Sequence, residues 1–214
     1  MLELCDVSVS IKRTSILQNI TLHVPKGNVV GLIGRNGAGK TTLMRTVMGF
    51  LPVDKGNIRF QDHFLTKIAA YTRARLGIGY MPEDRKLLST LTVEENILLS
   101  FWATKNKALP ERLPWVYGLI PELSEFSSRK AMELSGGQQK LVALARALFC
   151  GTKLLMLDEP FEGVAPALAQ RLAEVVAVLK EQGQSVLLSE SDQVHSAELL
   201  DRLYVIERGA VIEK

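Results

Sequence analysis

Residues 34 to 41, Gly-Arg-Asn-Gly-Ala-Gly-Lys-Thr, constrain this chain more than any other stretch. They fit the pattern G-x-x-x-x-G-K-[ST]. Before them lies a short apolar run, Asn28 to Ile33, and after them a helically spaced stretch, Thr41 to Met48, closed by Gly49. Strand, glycine turn and helix in that order make a cradle for phosphate. Glycine lets the backbone turn tightly, so that several amide N–H groups point inward at anionic oxygens. The following helix adds its positive dipole end. Gly34, Arg35, Asn36, Gly37, Ala38 and Gly39 are therefore expected to wrap the phosphates of a nucleotide. Lys40 brings a full charge to the outer two phosphates, Thr41 offers a hydroxyl to Mg²⁺, and Thr42 donates one residue further on.

The rest of the chain supplies a matching scaffold. Leu2 to Val24 alternates apolar and polar residues and predicts two antiparallel strands. Ile58 to Phe60 and Ile78 to Met81 predict short strands. Leu154 to Leu157 and Val186 to Leu188 are unbroken apolar runs, the mark of parallel strands buried on both faces. Pro166 to Glu181 predicts an amphipathic helix stopped by Gly183, and Leu203 to Ile206 a last strand turning at Arg208-Gly209. From Thr92 to Cys150 helical spacing dominates, broken by Pro110, Pro114 and Pro121. The expected fold class is α/β: a phosphate-loop core with an N-terminal antiparallel β subdomain and an inserted helical subdomain. Residues 1–87 and 151–214 form the core in this reading, and about 88–150 the insert.

A second acidic signal closes one buried run. Leu154-Leu155-Met156-Leu157 ends in Asp158-Glu159. At the carboxyl end of a parallel strand Asp158 is placed to hold Mg²⁺, directly or through water. Glu159 then stands beside the terminal phosphate, where it can orient or deprotonate an attacking water.

Leu134-Ser135-Gly136-Gly137-Gln138-Gln139-Lys140 precedes a long helical run, Leu141 to Phe149. Small residues at a helix start make another anion site, with the Ser135 hydroxyl and backbone amides as donors. With this Leu-Ser-Gly-Gly-Gln segment between the two nucleotide motifs, the sequence resembles the ATPase subunits of ABC transporters along essentially its whole length. The resemblance implies ATP hydrolysis with Mg²⁺, and a head-to-tail pair with a second such subunit, identical or paralogous. Ser135, Gly136, Gly137 and Gln138 would then act across the pair. It also implies transmembrane permease subunits as partners, with room for a solute-binding protein, and a peripheral place on the cytoplasmic side of the membrane.

Glu162-Gly163-Val164-Ala165-Pro166 and the stretch Gly79 to Arg85, followed by Leu91-Thr92-Val93-Glu94-Glu95-Asn96, are similar to importer ATPases for branched-chain amino acids, amides and urea. Three positions depart from the family pattern. Ile11 stands near a position where many members carry an aromatic ring on adenine. Glu83 stands where a Gln touching Mg²⁺ and water is usual, and its carboxylate is a candidate metal ligand. Ser191 occupies the place of the switch histidine, able to bond a phosphate but without a cationic form. His195 lies a turn further on and reads as a surface residue. A groove formed by Pro82 to Thr92 with Ile97, Leu98, Phe101 and Trp102 is expected to meet the permease.

Composition excludes several other classes. The net charge is +3 and no Lys/Arg block marks a nucleic-acid arm. The two cysteines, Cys5 and Cys150, are far apart and suggest a reducing compartment. No apolar run approaches the roughly 18 residues of a membrane span, and the start lacks the pattern of a secretion signal. The last predicted strand lies almost at the C-terminus, so no appended regulatory domain is expected. A phosphate-loop kinase or GTPase would leave Ser135 to Gln138 unexplained. A soluble ABC ATPase without a permease, or a weakly catalytic regulatory cassette, are the remaining alternatives.

Overall fold

The apolar runs become the inner strands of one sheet in the computed structural model, which describes residues 1–104 and 110–214. The part of the expected helical stretch at 105–109 lies outside the described residues. The strands β3 (Val29–Ile33), β6 (Ile78–Met81), β7 (Leu154–Asp158), β8 (Ser185–Glu190) and β9 (Arg202–Glu207) run parallel, and β10 (Ala210–Glu213) returns antiparallel. Their order is β10-β9-β3-β8-β7-β6.

Both faces of this sheet are covered, which is why its strands read as unbroken apolar runs. Successive side chains still alternate. Leu154 and Met156 face one core with Leu187, Val30 and Leu32; Leu155 and Leu157 face the other with Val186, Leu188 and Val29. The first core is roofed by a smaller antiparallel sheet of order β2-β1-β4-β5, formed by β1 (Leu2–Ile11), β2 (Thr14–Val24), β4 (Lys55–Phe60) and β5 (His63–Phe64). The helix α1 (Lys40–Val47) lies in the same layer through Leu43, Met44 and Val47. The second core is closed by α3 (Val93–Thr104), α4 (Leu113–Leu119), α5 (Gly136–Cys150) and α6 (Pro166–Glu181).

Three elements differ from the sequence reading. β5, β10 and the short helix α2 (Ala70–Arg75) were not legible. β10 needs the tight turn at Arg208 and Gly209, both at positive φ, to fold back on β9. α2 is anchored by Arg73, a buried guanidinium donating to the carbonyls of Thr46 at 2.9 Å, Leu65 at 2.8 Å and Val47. A cation on the last carbonyls of α1 suits that end of the helix dipole. It also fixes the helix whose other end carries Lys40.

α5 packs directly on β6 and β7. Gly79 in β6 permits this approach, since a Cβ there would stand 2.1 Å from the Ala147 carbonyl oxygen. The helix that follows Ser135 is thereby tied to β6, the neighbour of the strand that ends in Asp158.

Candidate nucleotide site

The loops at the carboxyl ends of β3, β6, β7 and β8 converge, where ligands bind in open parallel sheets. The β3–α1 loop passes so close to β9 that only glycine fits at position 34. A Cβ there would lie 2.3 Å from the Ile206 carbonyl oxygen. Gly39 takes φ 116° as it caps α1, a conformation reserved for glycine.

Lys40 opens α1 and is 5% exposed. Its ammonium donates to the carbonyls of Gly34 and of Arg35, the latter at 3.2 Å. It also forms an ion pair with Glu159 Oε1 at 2.9 Å and reaches the Ser191 hydroxyl at 3.4 Å. Thr41, Thr42, Gly37, Gly39 and Asn36 line the adjacent cavity of about 440 Å³ with Glu83, Glu159 and Glu162. Ile16 lines it as well. Ile11, the residue set against the adenine ring in the sequence reading, is not among the lining residues.

Asp158 is fully buried at the end of β7. Three hydroxyls donate to it: Ser189 at 2.7 Å and Thr41 at 3.2 Å to Oδ1, and Tyr80 at 3.1 Å to Oδ2. Burial pushes its carboxyl up, while those three bonds pull it down and Glu159 pushes it up again. Glu159 follows at φ 49°, a left-handed turn that carries its side chain off the strand direction and toward Lys40. The Ser191 N–H donates to its Oε2 at 3.2 Å. The Ser191 hydroxyl lies 3.0 Å from its Oε1 and 2.8 Å from Asn36 Oδ1.

Glu83 stands at the mouth of the site. Burial, then the carboxylates of Glu162, Asp158 and Glu159, push its acid up. His195 is exposed and tilts against Phe161 with ring centroids 5.5 Å apart.

Ser135, Gly136, Gly137 and Gln138 lie elsewhere. They begin α5, and none lines the cavity around Lys40. Ser135 caps that helix: its hydroxyl accepts from the Gln138 N–H at 3.2 Å, and Gln138 Oε1 accepts from the Ser135 N–H at 3.0 Å. The structure thus gathers the phosphate loop, Asp158, Glu159, Glu83 and Ser191 into one place and leaves the signature segment apart.

Several working residues escaped the sequence reading. Lys140, buried one turn into α5, donates to the Glu159 carbonyl at 2.9 Å and the Glu162 carbonyl at 2.6 Å. Arg146 donates to the carbonyls of Lys86 at 2.7 Å and Arg85 at 2.6 Å. Arg85 in turn reaches the Gly136 carbonyl at 3.0 Å. One helix therefore holds both loops that border the cavity around Lys40. A basic residue at Lys140 and Arg146, spaced on an otherwise apolar helix, was the available signal.

A buried carboxylate pair facing a lysine-bearing phosphate loop, with a capped helix tied to both border loops, defines the class of ATP-binding cassettes. Comparison with known proteins then fixes the family: the ABC transporter profile matches residues 17–162, and the chain belongs to that family. It is 36% identical over 212 residues to the high-affinity branched-chain amino acid transport ATP-binding protein BraG of Pseudomonas aeruginosa, covering 99% of this chain and 91% of that protein. It is 30% identical over 212 residues to a probable branched-chain amino acid transport ATP-binding protein, LivF, of Archaeoglobus fulgidus, covering 99% and 90%. A crystal structure of a nucleotide-free ATP-binding cassette from an ABC transporter superposes with a TM-score of 0.84 at 31% identity, covering 99% of this chain and 89% of that one. The chain is an ABC ATPase subunit.

Proposed function

We propose that this cassette hydrolyses Mg·ATP as one of two subunits paired head to tail, and that it drives a permease importing amino acids or related small polar solutes. The observation that carries the reading is the half-built cavity. Lys40, Thr41 and Glu159 line it, with Asp158 bonded to the Thr41 hydroxyl, while the second anion site at Ser135 of the same chain does not line it. A second subunit brings its own Ser135, Gly136, Gly137 and Gln138 to the open side.

The donor set fits Mg²⁺. Thr41 and Asp158 are hard oxygen ligands 3.2 Å apart, and Glu83 adds a carboxylate at the cavity wall. Among the described residues no three acidic, imidazole or thiol groups converge to hold an ion alone. A site of this kind is completed by substrate phosphates and water. When bound, Mg²⁺ neutralises charge developing on the terminal phosphate.

The residues themselves supply the remaining steps. Lys40 exchanges Glu159 for the outer phosphates. Glu159, released from the ion pair, stays oriented by the Ser191 N–H and acts as general base on the attacking water. Ser191 also offers its hydroxyl to the phosphate. Lys140 fixes the main chain that carries Glu159. A triphosphate between two positive helix ends draws the subunits together, and its cleavage lets them part.

Motion passes to the permease through a groove beside the site. That cavity, about 660 Å³, is lined by Phe50, Tyr80, Pro82, Asp84, Lys86 and Arg146 with Thr41 and Asp158, so the expected loop from Pro82 contributes but Ile97, fully buried, and Leu98 do not. Phe101 packs into the helical core while Trp102 points outward, 49% exposed, so of the expected aromatic pair Trp102 is the anchor for a partner. Residues 1–87 and 151–214 act as nucleotide-binding core and about 88–150 as the helical subdomain. The cassette works as a peripheral subunit on the cytoplasmic face, with a solute-binding protein feeding the permease. Among the described residues no helix is long and apolar enough to cross a membrane.

Glu159→Gln tests the chemistry. Turnover should fall about 100-fold or more, while ATP binding persists and an ATP-dependent dimer accumulates on size exclusion. Adding Ser135→Arg should abolish that dimer. Wild-type turnover in Glu159→Gln would refute the assignment. Uptake by proteoliposomes holding the cognate permease tests the cargo; failure to accumulate any amino acid, amide or urea overturns the importer reading.

A further inference from the structure

One buried carboxyl beside the site has no role in the mechanism above. Glu190 ends β8 and is 4% exposed. Its Oε2 accepts from the hydroxyl of Ser196, itself fully buried, at 2.7 Å. Its Oε1 is buried without any hydrogen-bond partner. Its main-chain carbonyl accepts from the Gly34 N–H at 3.0 Å, which stitches it to the start of the phosphate loop. The next residue is Ser191, whose N–H and hydroxyl grip Glu159. The Glu190–Ser196 bond therefore clips shut the loop 191–196, and the first residue of that loop orients the general base.

The surroundings are unkind to a charge on Glu190. Glu190 lines a cavity of about 380 Å³ with Glu159, Glu162, Asp192 and His195. The facing charges are Glu159 after β7, Asp192 on its own loop and Lys140 on α5. Lys140 is already committed to two carbonyls, and Lys40 to Glu159. An ionised Glu190 would place an unpartnered oxygen among like charges, and burial of that kind favours the neutral acid.

We propose that Glu190 is a positioning residue that works as the neutral acid, clamping the Ser191 loop on Glu159, and that nucleotide binding draws a proton from solvent onto it. The inference rests on the nucleotide reading of Lys40 and Glu159. The triphosphate takes Lys40 away from Glu159 and adds its own negative charge. Both changes bring more uncompensated negative charge near Glu190 and so raise its proton affinity. Linkage then requires that binding take up protons, and that affinity fall as pH rises through the titration of Glu190 in the free protein. Burial first, then Glu159 and Asp192, push this carboxyl up to about 7, against the Ser196 bond and Lys140, so the effect falls at neutral pH.

Calorimetric titration of the full chain with a non-hydrolysable ATP analogue and Mg²⁺, at pH 7.5 in two buffers of different ionisation heat, tests this. Wild type should take up about half a proton more than Glu190→Gln, a neutral isostere that still accepts from Ser196. Between pH 6.5 and 8.5 its affinity should fall about tenfold more than that of the variant. Ser196→Ala removes a bond that favours the ionised form, so its midpoint should move to higher pH. Equal proton uptake in wild type and Glu190→Gln, or an unmoved midpoint in Ser196→Ala, overturns the proposal. If wild type binds no analogue at any pH, the nucleotide site itself is refuted and the proposal falls with it.

Discussion

Replacing Lys140 by Met should loosen the loop that carries Glu159 without emptying the nucleotide cavity. Lys140 is 5% exposed, and its ammonium makes bonds of 2.9 and 2.6 Å to the carbonyls of Glu159 and Glu162. Methionine fills much the same space and donates nothing. Each buried carbonyl left without a partner costs about 1–3 kcal/mol. Relief of the desolvated ammonium offsets part of the pair. Burial lowers the proton affinity of Lys140, which is the mark of that desolvation. A net loss of about 2–3 kcal/mol is expected. For a chain of this size that corresponds to a fall of roughly 5–10 °C in melting temperature. Small misplacement of a catalytic group can slow turnover by about 100-fold, so kcat should fall at least tenfold while nucleotide affinity changes little. Thermal melts, ATPase assays and equilibrium nucleotide binding read the three effects separately. A melting temperature within about 1 °C of wild type, together with full turnover, would refute the role given to Lys140.

Other perturbations follow from the same geometry. Tyr80→Phe removes the donor to Asp158 Oδ2, and the Mg²⁺ concentration for half-maximal turnover should rise about tenfold; an unchanged Mg²⁺ curve would argue against a positioning role. The turn between β1 and β2 holds Lys12 at φ 49° and Arg13 at φ 68°, the backbone of a type I′ hairpin without the residues that favour it. Lys12→Asn with Arg13→Gly should stabilise the fold by about 1 kcal/mol at unchanged ATPase rate, and a lower unfolding midpoint would contradict that. Glu190 is raised from 4.5 to about 7 in the folded chain. Between those values the folded protein keeps a proton that the unfolded chain has lost, so stability falls as pH rises and the full penalty, roughly 3 kcal/mol, is present above 7. Glu190→Gln should therefore stabilise the protein at pH 8 and leave it unchanged near pH 4; an equal effect at both values would remove the titration from the explanation.

The features readable from residue order were local in origin. The glycine loop, the apolar strand ending in Asp158-Glu159 and the capped Ser135 helix each encode their geometry within a few neighbouring residues. Their local geometry and the alternation of strands and helices were legible for that reason, and β6 and α6 fall at the bounds the sequence suggests. Which distant groups meet was set by the packing of the elements. Lys140 reaches the carbonyls after β7 only because Gly79 lets α5 lie against β6. Tyr80 reaches Asp158 only because β6 and β7 are neighbours in register. Glu190 meets the Ser196 hydroxyl with one oxygen and keeps the other buried without a partner, which no local pattern announces. A side chain's identity fixes what bonds it can make, whereas burial and sheet order fix which of those bonds are available.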